Sequence, residues 1–253
     1  IKWRKSDARR RKERDVPHYD SIKESLYVAV LNRDNNREYL EDAVRKDIPG
    51  TDITAVLRIR CGGQEEGNAS YMVKEGMPEM WGVTGEDMYE QALRNMERIS
   101  PPIMVKLENI LYLDEDDSIL SKKLEPYTHY VLSNAAKFYG AAAMLYPGLL
   151  QEIGEATKGS FFILPSSIHE VILLKDNGEM NAEELQRMVI EINRSQVRPD
   201  EVLSDEVYSY DYREQKLTMA TDPVRTKEYI GQMATGYGCG DCMEEAEFEE
   251  MER

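Results

Sequence analysis

Cysteine is scarce in this sequence of 253 residues, which contains only Cys61, Cys239 and Cys242. Three unevenly placed cysteines are too few for the disulfide framework of a small secreted protein, so we expect a reducing compartment and a cytoplasmic location. No apolar run approaches the roughly 18 residues of a membrane helix, and no apolar segment follows the basic start as it would in a signal peptide. We therefore predict no membrane span. The chain opens on Ile1 instead of methionine, which favours a trimmed piece of a longer protein.

Familiar catalytic and cofactor motifs are also missing. The sequence has no P-loop, no G-x-G-x-x-G fingerprint, no EF-hand loop and no H-E-x-x-H helix, so we predict no cofactor. Cys239 and Cys242 form a C-x-x-C pair, the spacing of dithiol redox sites and of half a zinc site. No second closely spaced pair of ligands accompanies them. An incidental exposed pair is the simpler interpretation, with metal binding or a redox switch as the alternative.

Basic residues are outnumbered, because 32 Lys and Arg face 48 Asp and Glu and give a net charge of −16. Eight basic and two acidic residues fall within positions 1–14, so this stretch carries +6 and the rest of the chain −22. An acidic body repels phosphate backbones, and we expect no nucleic-acid binding by it. The basic stretch is interpreted as solvated, with an arm that reaches nucleic acid or another anionic partner as the alternative.

Three parts of the chain differ in composition. Residues 1–20 lack apolar periodicity and are predicted to form a basic, polar, mobile leader. Residues 21–220 hold enough patterned apolar side chains to close one core, and we predict a single domain there. Residues 221–253 are rich first in glycine and then in glutamate, which predicts a disordered tail.

The apolar spacing within 21–220 predicts an α+β fold. Continuous or alternating apolar runs predict strands at 26–31, 53–60 (half-buried), 69–73, 127–132, 161–164, 171–174, 207–210 and 216–219. Helical spacing predicts helices near 39–48, 85–98, 137–157 and 182–193, with N-caps at Thr84 and Asn181 and a break at Pro147-Gly148. We expect a mixed or antiparallel sheet of six to eight strands, with about four helices packed mainly on one face.

The most informative polar group lies between the strands at 161–164 and 171–174, where Ser166, Ser167 and His169 are close in sequence. A serine beside a histidine could serve as a nucleophile and its base. Adjacent turn residues point in diverging directions, however, and the sequence lacks a G-x-S-x-G elbow. Hydrogen bonds within the turn are therefore the better interpretation of the two serines.

Other polar positions extend this candidate site. Tyr139 and Tyr146 are seven residues apart on the helix predicted at 137–157 and therefore share a face. Core packing is the favoured role of that face, and a ligand pocket is the alternative. We predict no catalytic residues and no metal ligands beyond the cysteine pair. The candidate binding residues are Asn134, Tyr139, Tyr146, Ser166, Ser167, His169 and Glu170.

Three stretches of the sequence resemble the bacterial domain of unknown function 5688 family. They are residues 138–154 (FYGAAAMLYPGLLQEIG), 161–174 (FFILPSSIHEVILL) and 201–211 (EVLSDEVYSYD). The resemblance extends from about residue 21 to residue 220, and it is to the later part of the family sequence. It implies an uncharacterised cytoplasmic bacterial protein, and no established activity or catalytic residue comes with it.

Two functions from different classes are consistent with these features. The first is a non-enzymatic binding or regulatory module whose acidic surface engages a protein partner, which the net charge and the missing catalytic set favour. The alternative is a small-molecule hydrolase or other enzyme with its site around Ser166, Ser167 and His169.

Overall fold

The computed structural model describes residues 17–61, 69–108 and 128–236. The strands of these residues are β1 Leu26–Asn32, β2 Arg45–Asp47, β3 Ile53–Arg60, β4 Ser70–Met72, β5 Pro102–Lys106, β6 His129–Asn134, β7 Phe161–Leu164, β8 Val171–Lys175, β9 Tyr208–Asp211 and β10 Lys216–Met219. The helices are α1 Tyr19–Ile22, α2 Met77–Trp81, α3 Gly85–Ile99, α4 Leu149–Thr157, α5 Ala182–Ser195 and α6 Pro223–Gly236, with 3₁₀ helices at Lys23–Ser25 and Gly140–Leu145.

The described strands form two antiparallel sheets. The larger sheet has the order β10-β9-β7-β8-β6-β5. In the smaller sheet, β3 pairs with β1 along one edge, and β2 and β4 lie end to end along the other. The predicted α+β class is therefore confirmed, and the pairing is the antiparallel alternative, with the strands divided between a six-stranded and a four-stranded sheet.

One buried cluster joins the two sheets. It contains Val56 of the smaller sheet, Tyr130 and Phe161 of the larger sheet, and Ile153 of α4. The 3₁₀ helix Gly140–Leu145 contacts both β1 and β6, and its three alanines are fully buried. These small side chains permit the close approach of the two sheets.

Helices cover the remaining faces. Leu185 and Val189 of α5 pack against Phe162 on the opposite face of the larger sheet. Helix α3 lies against β1, where the Sδ of Met96 accepts a hydrogen bond of 3.1 Å from the Val28 amide. Because the smaller sheet is covered on both faces, β3 is buried throughout 53–59 and not half-buried as its alternation predicted.

The helix predicted near 39–48 is wrong. Residues 33–42 form turns, and the chain then continues as β2. The side chain of Asn32 starts these turns by accepting hydrogen bonds from the Asp34 and Asn35 amides. The Val44 amide then donates to the Val73 carbonyl, so this segment is used as an edge of the smaller sheet.

The helix predicted at 137–157 is interrupted. Lys137 and Tyr139 have φ values of 52° and 49°, in the left-handed region that breaks an α-helix. A 3₁₀ helix follows, and α4 begins only after Pro147 and Gly148, where the sequence predicted a break. The two halves are therefore separate elements with different neighbours.

Parts of the predicted leader and tail lie within the described residues. Within the leader, Pro17 accepts a 2.9 Å hydrogen bond from the Trp81 indole N–H. Within the tail, residues 223–236 form α6, which is attached through the buried Thr226. Positions 1–16 and 237–253 lie outside the described residues. In the parts of the chain that are described, none of the helices has the length and apolar character needed to cross a membrane.

Candidate functional site

The candidate site begins at Asn134, the last residue of β6. The side chain is 1% exposed, and its Nδ2 donates a hydrogen bond of 3.3 Å to the Phe138 carbonyl. Its Oδ1 is buried without any hydrogen-bond partner among the described residues. The Tyr146 hydroxyl lies near this amide but donates to the Ser100 carbonyl at 2.8 Å, so it supplies no proton to Oδ1. A buried oxygen without a donor is unusual in a folded protein.

The turn of residues 165–170, which contains Ser166 and Ser167 and which we call the serine turn, packs directly against this end of β6. The Ser133 hydroxyl donates to the His169 carbonyl at 2.9 Å, and the Ala141 amide donates to the Ile168 carbonyl at 3.3 Å. Gly140 permits the contact, since a Cβ at this position would lie 2.1 Å from the Ser133 hydroxyl and 2.3 Å from the His169 carbonyl. The structure therefore brings Asn134, Tyr139 and the serine turn together.

Ser167 is committed to the turn itself. Its hydroxyl accepts from the amides of His169 and Glu170, at 3.1 and 3.3 Å, and donates to the Glu170 Oε1 at 2.7 Å. Ser166 enters the fold through its backbone, because its carbonyl accepts a hydrogen bond from the Leu203 amide. These hydrogen bonds lie within the turn and at its ends, which is the role predicted for the two serines.

The His169 ring points away from the serines and toward other groups. Its Nδ1 accepts a hydrogen bond of 3.4 Å from the Tyr139 amide, and its Nε2 lies 3.6 Å from the Glu201 Oε1. The Phe138 and Tyr139 rings each have their centroids 6.1 Å from that of the imidazole. In the neutral ring the acceptor nitrogen is thus already occupied, which leaves no lone pair for a serine proton.

Tyr139 and Tyr146 do not share a face, because the helix that would have aligned them is broken. Tyr146 is buried in the core, and burial raises the pKa of its hydroxyl well above the ordinary value. Tyr139 is only partly buried and lies against Tyr27 and Arg58 of the smaller sheet. Only Tyr139 therefore belongs to the surroundings of the serine turn.

A cleft of about 250 Å³ opens beside Asn134. It lies where the start of β1, the end of α3 and the end of β6 meet. Apolar and aromatic side chains form half of its lining, and the polar half consists of Glu24, Ser25, Arg60, Asn95, Ser100 and Asn134. The lining residues that define its character are Leu26, Tyr27, Arg60, Met96, Asn134 and Phe138.

Two arginines of β3 were not predicted as part of the site. Arg58 is 9% exposed, with its Nε 3.2 Å from the Tyr27 hydroxyl and an Nη donating to the Tyr39 hydroxyl at 2.7 Å. Arg60 follows two residues later on the same face of the strand and lines the cleft. The alternation of β3 had placed both arginines on an exposed face. Tyr27, the one tyrosine of β1, was a sequence signal for the burial of Arg58.

No group of three or more His, Cys, Asp or Glu side chains in the described residues is arranged to hold a metal ion. Cys239 and Cys242 lie outside those residues. The groups that lie close together in this region are therefore an amide oxygen, two guanidinium groups and aromatic rings. Such groups bind ligands by hydrogen bonds and stacking.

No curated protein and no solved structure matches the chain. One family model does match, over residues 2–212, and its description is a family of unknown function, DUF5688. The match contains β1 to β9 and therefore every residue of the cleft and of the serine turn named above. The chain belongs to the DUF5688 family.

Proposed function

We propose that this protein is a non-enzymatic binding module whose ligand is a small organic molecule held in the cleft beside Asn134. The observation that carries the proposal is the Oδ1 of Asn134, a buried acceptor without a donor that belongs to a residue lining the cleft. Leaving such an oxygen unpaired costs about 1–3 kcal/mol. Because this oxygen is closed to solvent, a ligand with a hydroxyl or N–H group would satisfy it by turning the Asn134 side chain toward the cleft.

The shape and lining of the cleft support a small ligand. Apolar side chains from three elements, Leu26 of β1, Met96 of α3 and Phe138 before the 3₁₀ helix, form its walls. Ligand pockets in proteins are typically apolar with a few placed polar groups. A volume of about 250 Å³ suits a molecule of one ring or a short chain.

Binding is favoured over hydrolysis by the committed groups of the serine turn. The Ser167 hydroxyl is held by Glu170 and by two turn amides, and the acceptor nitrogen of His169 is held by Tyr139. A nucleophile needs a free hydroxyl beside a free base. The alternative of a hydrolase at Ser166, Ser167 and His169 therefore has less support than a binding role.

Ligand-observed NMR with a library of small neutral and anionic fragments tests the proposal. Ala136 is exposed and lines the cleft, so Ala136→Trp fills the cleft without disturbing the core. We expect a subset of fragments to give saturation-transfer signals with the natural sequence and not with Ala136→Trp. Met80→Trp, on the exposed face of α2, is the matched control and should retain them. Hits that persist in Ala136→Trp, or an absence of hits, would overturn the proposal.

The acidic surface and a protein partner remain part of the proposed role. The net charge of −16 supports contact with a basic partner surface. Affinity capture from a native bacterial lysate, in low and then in high salt, tests it. We expect a specific protein that is released by salt, and capture of none would count against this part of the proposal.

A further inference from the structure

We infer that the ligand of the cleft is an organic anion whose carboxylate or phosphate group is bound by Arg60. This inference rests on the proposed function and adds the chemical class of the ligand. It comes from the way charges are distributed around the cleft, a feature independent of the unpaired oxygen of Asn134.

Arg58, two residues before Arg60 on the same face of β3, carries a second positive charge nearby but does not line the cleft. Its guanidinium is buried, and its partners in the described residues are the hydroxyls of Tyr27, Tyr39 and Ser70 and the Ser70 carbonyl. All of these are neutral acceptors. Arginine keeps its charge at any physiological pH, so the charge of Arg58 is solvated by dipoles and is not cancelled by a carboxylate within the described residues.

Arg60 is the positively charged residue that lines the cleft. In the described part of the chain its guanidinium contacts the Tyr27 ring, with Cζ 5.8 Å from the ring centroid, and pairs with no carboxylate. Tyr27 is held in turn, since its hydroxyl donates to the Ser70 Oγ at 2.7 Å. The guanidinium of Arg60 therefore packs on an aromatic side chain whose position is fixed. This packing lowers the conformational entropy that the Arg60 side chain loses when a ligand binds.

The acidic residue that lines the same cleft is already paired. Glu24 accepts a hydrogen bond of 2.5 Å from an Nη of Arg98, which lies on the outer side of α3. Arg60 therefore has no carboxylate partner among the described residues, and the one acidic side chain of the cleft is paired with Arg98. Arg60 gives the cleft a positive end.

These groups specify the ligand. The planar fork of a guanidinium matches the two oxygens of a carboxylate or phosphate. An Asn134 side chain turned toward the cleft takes a hydroxyl or N–H donor on the same molecule, and Phe138 offers an aromatic wall. A small ring that carries an anionic group at one end and a donor at the other satisfies all three.

Ligands of similar shape and different charge show how much the charge contributes to the affinity. We would titrate the natural protein with 4-hydroxybenzoate, with its neutral counterpart 4-hydroxybenzamide and with 4-hydroxyphenyl phosphate, and measure Kd by NMR shift. We expect each anion to bind about tenfold or more tighter than the amide, with the preference weakening as salt is raised. The ratio of the two anions identifies the carboxylate or the phosphate as the preferred group.

The variant Arg60→Gln should abolish the preference for anions while leaving the affinity for the amide within about twofold. Arg213→Gln is the matched control, because Arg213 also lies over a tyrosine ring, that of Tyr212, with Cζ 5.7 Å from its centroid. Circular dichroism and thermal unfolding establish that each variant is folded, and Arg60→Lys provides a second, milder substitution that should lower the preference in part.

Three outcomes are distinguishable. Anion preference lost in Arg60→Gln, with all binding lost in Ala136→Trp, supports the inference. Equal binding of the amide and the anions, still blocked by Ala136→Trp, would overturn the inference and leave the proposed function standing. Fragment hits from the wider library that Ala136→Trp does not block would remove the proposed function and with it the inference.

Discussion

The hydroxyl of Tyr208 in β9 donates a hydrogen bond to the carboxylate of Asp52, which precedes β3. The same carboxylate accepts from the Ser204 hydroxyl at 2.8 Å and from the Asn32 amide group at 2.8 Å. Tyr208 is fully buried, and burial together with the charge of Asp52 raises its pKa well above the ordinary value. This cluster connects β9 of the larger sheet to the end of β1 and the turn before β3 of the smaller sheet.

Replacement of Asp52 by asparagine should weaken that connection. Asp52→Asn presents an amide N–H₂ group to at least one hydroxyl that now donates to a carboxylate oxygen, so we expect the free energy of unfolding to fall by about 2–3 kcal/mol. Urea unfolding followed by circular dichroism measures it. Asp200→Asn is the control, because Asp200 forms an exposed ion pair with Arg198 and should change stability by less than about 1 kcal/mol. Equal effects of the two substitutions would contradict this account.

Glu206 should make stability depend on pH. Burial raises the pKa of its carboxyl above 4.5, although the hydroxyls of Thr221 and Thr226 donate to it. The folded state therefore keeps the proton to a higher pH than the unfolded chain does. Its contribution to stability is complete below about pH 4.5 and is lost as the pH rises through the raised pKa.

Glu206→Gln, which resembles the protonated side chain, removes this dependence. We expect the variant to match the natural protein near pH 4 and to gain stability relative to it as the pH rises to about 7, as measured by urea unfolding at intervals. Glu228→Gln, exposed on α6, should show no such trend. A variant that loses stability relative to the natural protein as the pH rises would show that the stated direction of the Glu206 pKa shift is wrong.

Gly140 should tolerate no side chain. Gly140→Ala places a Cβ within 2.3 Å of both the Ser133 hydroxyl and the His169 carbonyl, so the serine turn must move away from β6. We expect a loss of about 3 kcal/mol in the free energy of unfolding. Gly159→Ala is the control, since the nearest atom to its added Cβ is 4.0 Å away. Comparable stability of the two variants in thermal unfolding would mean that the turn adjusts freely.

Ser167 should be structural. Ser167→Ala removes the acceptor for two turn amides and leaves Glu170 without its hydroxyl partner, which should cost about 1–2 kcal/mol of unfolding free energy. Ser166→Ala should cost less, because the hydrogen bond of Ser166 to Leu203 uses its carbonyl. Chemical denaturation compares the two, and a larger loss in Ser166→Ala would reverse their assigned roles.

Local signals in the sequence predicted the elements that depend on local contacts. Helix α3 begins at the predicted cap, where the Thr84 hydroxyl accepts a hydrogen bond from the Asp87 amide and the Asp87 carboxylate accepts one from the Thr84 amide. Helix α5 begins at Asn181, whose side chain accepts a hydrogen bond from the Glu183 amide. These caps lie within three residues of their partners, so a short window of sequence contains the whole interaction.

Contacts between distant residues determined the elements that the sequence did not predict. Tyr139 adopts a left-handed conformation while its amide bonds His169, thirty residues away in the chain. The apolar residues around Tyr139 in the sequence are nevertheless spaced as in a continuous helix. Likewise, the burial of Arg58 depends on Tyr39 and Ser70 from other segments. Asn134 and His169 could be predicted as neighbours of one site, whereas the positive end of the cleft requires the three-dimensional arrangement.

The positions of β10 and α6 bear on how the protein can be shortened. The family match ends at residue 212, just before the turn that leads to β10. A chain cut there would leave β9 as a bare edge, with backbone donors and acceptors open to intermolecular pairing. It would also strip Glu206 of Thr221 and Thr226, two of the hydroxyls that surround its carboxyl. Aggregation of such a fragment would reflect the missing last strand and helix, and not an unstable family domain.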